Sequence, residues 1–252
     1  MKFRESKVEI IPQDWSLDGI YKQCELAGRT AYKSEDRITE GSAKKFVEAL
    51  MKLKHGAVLE HGTVYLTIPY DPLSSIGGPE RKYRYNKYSR VVDDENLLYG
   101  IAYITTNLRV IFENDWMDDL QYLCEPTEYH EKRVTVKFIC SRSIAQEITR
   151  HRVFSFLMES QRYVAYNKDK FGGEITYIVP QWVIDDVFSW ADSENPLTGE
   201  KYEYLVRQPI IDSVWQMQGL DRVVNAWICS LQESELTYMY LIGEGGKKAE
   251  EA

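Results

Sequence analysis

The sequence contains few cysteines, and they are far apart. The four are Cys24, Cys124, Cys140 and Cys229. A CxxC metal site and a small disulfide framework both require cysteines at short, regular spacings, so neither is predicted. A chain that does not depend on disulfides is expected in the reducing cytoplasm.

Long apolar runs and the common phosphate-binding motifs are also missing. No stretch approaches the ~18 consecutive apolar residues of a membrane span. The N-terminus, MKFRESKVEII, lacks the apolar core of a signal peptide. Neither GxGxxG nor GxxxxGK[ST] occurs, which excludes the usual Rossmann and P-loop phosphate sites.

Net positive charge is lacking as well. The chain has 31 Lys and Arg against 39 Asp and Glu, for a net charge of −8. General nucleic-acid binding requires a basic face, so no nucleic-acid partner is predicted. A small anion held in a local positive pocket is compatible with this charge. With 252 residues, 44% of them hydrophobic, the chain is long enough for a substantial core.

Hydrophobic periodicity and turn residues predict the main elements. The predicted strands cover residues 7–11, 64–68, 100–105, 132–140 and 174–179. The predicted helices cover residues 17–31, 42–53, 107–123, 200–217 and 220–242. Residues 70–96 are predicted to be irregular, with Pro72, Gly77, Gly78 and Pro79 as interruptions.

The segment 143–166, SIAQEITRHRVFSFLMESQRYVAY, organises the chain. Ser143 and Gln146 predict a capping box at the start of a short helix. Three apolar residues predict the buried face of that helix: Ile144, Ala145 and Ile148. The residues after it, 153–156, are typical of extended backbone.

Three adjacent basic residues end this helix: Arg150, His151 and Arg152. Cations at a helix C-terminus are favoured by roughly 0.3–1 kcal/mol each. Seven residues separate the triplet from Ser160, and Arg162 lies two residues after Ser160. A basic triplet is most often a solvated surface. Here it is a local positive cluster in an acidic chain with apolar flanks, which favours an anion-binding site.

The spacing RHR-x7-S, with QEIT before it and RY after it, resembles the signature of the flavin-dependent thymidylate synthases. Two other segments, YKSEDRI at 32–38 and LEH at 59–61, are similar to further landmarks of that family. The resemblance implies an α+β fold with a mixed, mainly antiparallel sheet wrapped by helices. It also implies a homotetramer with shared active sites, which converts dUMP to dTMP with FAD, NADPH and methylenetetrahydrofolate.

The resemblance further implies which residues contact the ligands. The expected FAD contacts are His61, Thr63, Arg150, His151, Arg152 and Glu159. The expected dUMP contacts are Glu147, Arg150, Glu159, Ser160, Gln161 and Arg162. The sequence departs from the usual family pattern at two positions. Thr63 replaces the commoner serine, and Met158 stands where many members have a carboxylate. No metal site is expected.

Ser160 is expected to orient the nucleotide by a hydrogen bond. A serine nucleophile requires an activating base, and His151, nine residues away, is already assigned to the flavin. The cysteines lie in no context that suggests the nucleophile of the flavin-free thymidylate synthases. No residue is assigned to catalysis, because the arginine that the resemblance implies for this role is expected beyond residue 252.

One domain is expected over residues 1–252, with an insertion at about 70–131. The insertion contains RKYRYNKYSR at 81–90, for which a solvated edge or subunit contact is favoured over nucleic-acid binding. The end of the sequence, KKAEEA, consists of strong helix formers without a stop signal. A C-terminal segment is therefore expected to be missing, together with the family's uracil-ionising arginine, so that this chain would be inactive.

Two alternatives to the synthase stay open on the residues alone. One is a binding module for anions or single-stranded nucleic acid, built on residues 81–90 and 150–152. The other is an inactive relic of the synthase. A flavin absorbance spectrum separates the first from the synthase, and turnover separates the second.

Overall fold

The structure is a computed structural model that describes residues 2–74, 78–94, 100–151, 154–159, 176–178 and 233–242. For 2–4 and 233–242 it describes the backbone only. The chain splits into two compact units. The described part of unit one comprises 2–8, 138–150, 176–178 and 233–235, and unit two contains the rest.

The described residues form nine strands and six α-helices. The strands are β1 (Lys2–Arg4), β2 (Lys7–Ile11), β3 (Thr63–Tyr70), β4 (Arg90–Asp94), β5 (Gly100–Asn107), β6 (Lys132–Ser141), β7 (Ser155–Met158), β8 (Thr176–Ile178) and β9 (Glu233–Ile242). The helices are α1 (Leu17–Tyr32), α2 (Ser42–Leu53), α3 (Gly56–Leu59), α4 (Arg81–Arg84), α5 (Leu108–Glu113) and α6 (Arg142–Ile148). Short 3₁₀ turns cover Glu35–Arg37 and Met117–Tyr122.

The strands form three sheets, in which most of the pairing is antiparallel. The orders are β3-β5-β4, β2-β6-β9-β7 and β1-β8. The pairs β3/β5, β4/β5 and β7/β9 are antiparallel, and β1/β8 is parallel. The predicted fold class, a mixed and mainly antiparallel sheet structure with helices, is confirmed.

In unit two, β3 separates a core face from a polar face because side chains alternate along a strand. Val64, Leu66 and Ile68 have no exposed surface and belong to the main hydrophobic cluster. Tyr65 points to the other face, where its hydroxyl accepts a hydrogen bond from the backbone N–H of Arg133 at 2.8 Å. β3 thereby places Thr63 on the polar face of the sheet.

The core face of this sheet is covered by α1, α2 and α3. Ser16 caps α1, since its hydroxyl accepts a hydrogen bond from the N–H of Gly19 at 3.1 Å. Each helix contributes fully buried side chains to the cluster: Ile20 and Cys24 from α1, Val47 from α2, and Leu59 from α3. Burial of this kind stabilises the fold by about 25 cal/mol per Å² of apolar surface removed from water.

Several predicted elements agree closely with the structure. The strand at 7–11 and the helix at 42–53 have the predicted bounds, and α1 extends one residue beyond the prediction. The strands at 64–68, 100–105 and 132–140 are confirmed within slightly longer strands. Of the strand predicted at 174–179, the described residues 176–178 are extended. The helix predicted at 200–217 lies outside the described residues.

Four predictions about secondary structure are wrong. Residues 90–94 form β4 rather than an irregular segment, because β5 supplies an antiparallel partner. The helix predicted at 107–123 ends at Glu113, because Asp115 adopts a left-handed conformation with φ of 60°. The N-cap of α6 is Ser141, whose hydroxyl accepts from the N–H of Ile144, so Ser143 does not begin a capping box. Residues 233–242 form β9, paired with β7, instead of the end of a helix.

The predicted apolar face of α6 is only partly buried. Ala145 has no exposed surface, but Ile144 is 51% exposed. Neighbouring residues of an α-helix point about 100° apart around its axis, so the orientation that buries Ala145 leaves Ile144 facing outward. The buried face of this helix is therefore narrower than its apolar residues predict.

Candidate functional site

His61 lies in unit two, directly after α3. Its backbone N–H donates to the carbonyl of Val58 at 3.2 Å, and its side chain has no exposed surface. Neither ring nitrogen has a hydrogen-bond partner in the structure as described. Burial lowers the pKa of His61 to about 4, so the imidazole is neutral at pH 7. Buried polar atoms normally have partners, so this histidine has an unmet capacity to bind one.

Thr63, the first residue of β3, is held by a side chain from the loop before α1. The amide of Gln13 donates to the carbonyl of Thr63 at 2.8 Å and accepts from its N–H at 3.2 Å. Thr63 is buried. These two hydrogen bonds fix the backbone at the start of the strand. Gln13 is not among the predicted site residues. An isolated glutamine carries no sequence signal for such a contact.

Gly62 separates His61 from Thr63 and allows a close approach of the backbone to the core. A Cβ at this position would lie 2.7 Å from Cys24 Sγ and 2.9 Å from Ile20 Cγ2. The carbonyl of Gly62 accepts a hydrogen bond from the N–H of Leu108 at 2.9 Å. The two site residues are therefore connected by a tightly packed backbone with little freedom to move.

Glu159 follows β7 and is also in unit two. Its side chain is 1% exposed, and Lys33 Nζ lies 3.4 Å from its Oε1. Leu157, two residues earlier, packs against the hydrophobic cluster and anchors the strand. β7 contacts both α1 and α3. The elements that carry Lys33, His61 and Glu159 therefore pack on one another.

Two of the predicted basic residues, Arg150 and His151, are described and exposed. Arg150 in unit one donates to the Glu147 carboxylate at 2.8 Å, and both side chains are largely in solvent. An exposed ion pair of this kind contributes little to stability. His151, in unit two, is exposed, and its ring centroid lies 6.4 Å from that of Phe154. These side chains are accessible to an anionic ligand.

Four predicted site residues lie outside the described residues: Arg152, Ser160, Gln161 and Arg162. Lys33 is the charged residue that the prediction missed. It stands in YKSEDRI, which resembles a family segment, but nothing in that segment indicates that its partner is Glu159.

Among the described residues, none of the predicted site residues lines a cavity of about 340 Å³ in unit two. It lies beside α1 and α2, and its lining includes Gln23, Glu25, Leu26, Ile38 and Ala43. Within the described residues, no group of three or more His, Cys, Asp or Glu side chains could hold a metal ion. No helix in the described ranges is long and apolar enough to cross a membrane.

Comparison with known proteins assigns the chain to a family. A family model described as "Thymidylate synthase complementing protein" matches residues 126–252, half of the chain, and spans the whole segment 143–166. The chain belongs to this family. The predicted relationship to the flavin-dependent thymidylate synthases is confirmed at this level. Membership in the thymidylate synthase complementing family supports a function of the thymidylate synthase type and an enzyme of the methyltransferase type.

Solved structures give more distant likenesses. A UMP/dUMP methylase, PolB, from Streptomyces cacaoi bound with 5-Br dUMP is 14% identical, over 96% of this chain and 75% of that chain, with a TM-score of 0.28. Thymidylate synthase X from Helicobacter pylori with FAD and dUMP is 11% identical, over 94% and 78%, with a TM-score of 0.24. A search of curated proteins found no match.

Proposed function

We propose that the chain has the function of a flavin-dependent thymidylate synthase, the reductive methylation of dUMP to dTMP. FAD is its bound cofactor, and NADPH and methylenetetrahydrofolate are its co-substrates. That residues 1–252 alone would be inactive, as the resemblance implies, stays a prediction. The family match over 126–252 carries the proposal, because it contains the complete RHR-x7-S pattern. The buried histidine with two unpaired ring nitrogens supports a ligand beside α3.

In this proposal the basic triplet holds the anionic parts of the flavin. Arg150 and Arg152 suit this role, because an arginine side chain forms bidentate contacts with phosphate. His151 adds a third polar group beside them. When bound, the flavin supplies the hydride chemistry. The residues of the chain supply position and electrostatic field.

His61 and Thr63 form the proposed second contact with FAD. A neutral imidazole offers one hydrogen-bond donor and one acceptor. Since both ring nitrogens of His61 are buried and unpaired in the described chain, a polar ligand edge would satisfy them. The packed backbone at Gly62 keeps the histidine and Thr63 at a constant separation.

The proposed nucleotide site contains the residues on either side of the triplet. Its members are Glu147, Arg150, Glu159, Ser160, Gln161 and Arg162. Arg150 and Arg162 would neutralise the nucleotide phosphate. Ser160 would donate a hydrogen bond that orients the nucleotide, without forming a bond to the uracil ring. Glu159 would contact both ligands from its buried position after β7.

Assembly, domain organisation and compartment are part of the same proposal. We propose a homotetramer with active sites shared between chains, located in the cytoplasm. Each chain would form one synthase domain with an insertion at about 70–131. Nucleic acid and membrane are not proposed partners, which agrees with the net charge of −8.

The absorbance spectrum of the purified chain tests the proposal, first with added FAD and then with dUMP. We expect a bound-flavin spectrum that changes when dUMP is added. Combined replacement Arg150→Ala and Arg152→Ala should remove the flavin without unfolding, since the Arg150–Glu147 pair is exposed. The matched control is Lys44→Ala with Lys45→Ala, which removes two adjacent exposed cations from α2.

Two results would contradict the proposal. One is a folded, unmodified chain that binds no added FAD. The other is full flavin retention by the Arg150/Arg152 double variant, with a far-ultraviolet circular dichroism spectrum equal to that of the control. Tight binding of single-stranded oligonucleotides in place of flavin would support the binding-module alternative.

A further inference from the structure

Lys33 ends α1 in a conformation that normally belongs to glycine. Its backbone is left-handed, with φ of 46° and ψ of 58°. The N–H of Lys33 donates to the carbonyl of Thr30 at 3.2 Å, and that of Ser34 donates to Arg29 at 3.0 Å. This pattern is a Schellman motif, in which residues other than glycine adopt the left-handed backbone at an energetic cost.

The ammonium of Lys33 lies beside a buried carboxylate. Its Nζ is 3.4 Å from Glu159 Oε1, and the two side chains are 31% and 1% exposed. Burying a carboxylate is costly unless a cation or hydrogen-bond donors are close to it. Lys33 is thus a charged partner of Glu159, and it reaches that carboxylate from the end of α1.

α2 contains an internal comparison. Lys54 ends that helix with φ of 56° and ψ of 34°. Its N–H donates to Met51 at 3.1 Å, and the N–H of His55 donates to Leu50 at 3.0 Å. The backbone motif is the same, but the Lys54 side chain is exposed and forms no ion pair within the described part of the chain. The two lysines differ in what their side chains contact.

We propose that Lys33 is a positioning residue that holds the Glu159 carboxylate in place for its contacts with flavin and nucleotide. This inference rests on the proposed function, which places Glu159 at both ligands. A long cationic side chain at the end of α1 spans the distance to β7, whereas glycine would relieve the backbone and leave the carboxylate without this cation. The Glu159 carboxylate would then lose its contact with the Lys33 ammonium, while β7 would keep its packing against α1.

The matched variants Lys33→Gly and Lys54→Gly test this inference. Both relieve a left-handed lysine, so both should fold at least as well as the unmodified chain apart from any contribution of the ion pair. Lys33→Gly should weaken dUMP binding to the flavin-loaded chain by about tenfold or more, as expected when a buried charge pair loses one partner. Lys54→Gly should leave dUMP affinity unchanged.

Two further variants separate positioning from a purely structural role. Lys33→Arg keeps the cation and should restore most of the dUMP affinity and the dUMP-induced change in the flavin spectrum. In a Glu159→Gln background, Lys33→Gly should have no additional effect on dUMP affinity, because the carboxylate that it positions is already gone. If Lys33→Gly folds poorly, Lys33→Met replaces it in the test. Methionine removes the charge but keeps much of the side-chain length, so it should also weaken dUMP binding.

The outcomes distinguish this inference from the proposed function. If the unmodified chain and Lys54→Gly bind neither FAD nor dUMP, the proposed function is wrong and the role of Lys33 falls with it. If both bind, and Lys33→Gly binds dUMP as tightly as Lys54→Gly, only the inference is overturned. A lower unfolding midpoint for Lys33→Gly with unchanged dUMP affinity would likewise show a structural ion pair and overturn it.

Discussion

The hydroxyl of Ser42 donates a hydrogen bond to the carboxylate of Glu25 at 2.7 Å, which joins the first residue of α2 to α1. The other oxygen of that carboxylate accepts two bonds from the Arg29 guanidinium, at 3.2 and 3.1 Å. Glu25 is almost fully buried. The contact sets the position of α1 against α2, and α1 ends at Lys33.

Replacing Ser42 with alanine should destabilise the chain. The lost bond ends on a charged and buried acceptor, so we expect a cost of roughly 1.5–3 kcal/mol in the free energy of unfolding. Urea denaturation followed by circular dichroism measures it. The control is Ser34→Ala, because the Ser34 side chain makes no capping hydrogen bond. Equal midpoints for the two variants would contradict the role of the Ser42–Glu25 bond.

Burial of His61 should make the stability of the chain depend on pH. The pKa of His61 falls from 6.5 in a model peptide to about 4 in the folded chain. Between these values the unfolded chain binds a proton that the folded chain does not. This contribution to stability is therefore complete above pH 6.5 and is lost as the pH falls toward 4, by roughly 3 kcal/mol in total at about 1.4 kcal/mol per pH unit.

The replacement His61→Gln tests this pH dependence. It removes the titrating group, so the difference in unfolding free energy between the variant and the unmodified chain should shrink or reverse from pH 7 to pH 4. Urea midpoints at several pH values measure that difference. His55→Gln, at an exposed histidine before α3, is the control and should follow the unmodified chain. A constant difference for His61→Gln across the range would show that the burial has no such effect.

Adding a methyl group at Gly62 should disrupt the packing of the turn between α3 and β3 against α1. The new Cβ would lie under 3.0 Å from atoms of Cys24 and Ile20, both of which are fully buried. Overpacking of this kind typically costs about 1–3 kcal/mol. Gly62→Ala should therefore lower the thermal midpoint. Cys24→Ala made in the same chain should recover part of the loss, and strict additivity of the two changes would contradict the predicted contact.

The described cysteines should be poor nucleophiles in the folded chain. Burial raises the pKa of Cys24 to about 12 and that of Cys140 to about 11, and it also raises the pKa of Cys124. For Cys24 and Cys140, about 0.1% or less would be thiolate at pH 8. Iodoacetamide followed by peptide mass spectrometry should label these two slowly in the native chain and fully in urea. Rapid native labelling of Cys24 would contradict its burial.

Replacing Ser160 with alanine should weaken nucleotide binding without abolishing it. The prediction follows from the RHR-x7-S pattern and from the positional role proposed for the hydroxyl. Loss of one buried hydrogen bond should cost about 1–3 kcal/mol in dUMP affinity, measured by titration of the flavin spectrum. A covalent Ser160–uracil adduct detected by mass spectrometry would instead identify a nucleophile.

Local signals in the sequence were sufficient to predict the elements whose hydrogen bonds are local or that bury only one face. The helix at 42–53 was predicted with the bounds that α2 has, because its apolar residues recur at helical spacing. Asn107, a residue type that favours helix N-caps, caps α5 by accepting a hydrogen bond from the N–H of Val110. The RHR-x7-S pattern was sufficient to identify the family, because ligand contacts require particular residue types at fixed spacing.

Tertiary partners decided the rest. Residues 233–242 contain apolar positions that fit a helix, yet β7 provides a partner strand and they form β9. Residues 90–94 form a strand because β5 lies beside them. Backbone pairing between distant segments leaves no periodic signal in either segment alone, so tertiary context overrides local propensity.

The candidate site shows the same division at the level of single residues. The sequence by itself identified His61 and Glu159 as polar residues of a family pattern. Only the tertiary structure determined that His61 is buried with ring nitrogens unpaired in the described residues and that Lys33 places a cation beside Glu159. Burial and charge pairing depend on which surfaces α1, α3 and β7 present to one another. That packing arises from contacts far apart in the chain, which no local pattern of residues encodes.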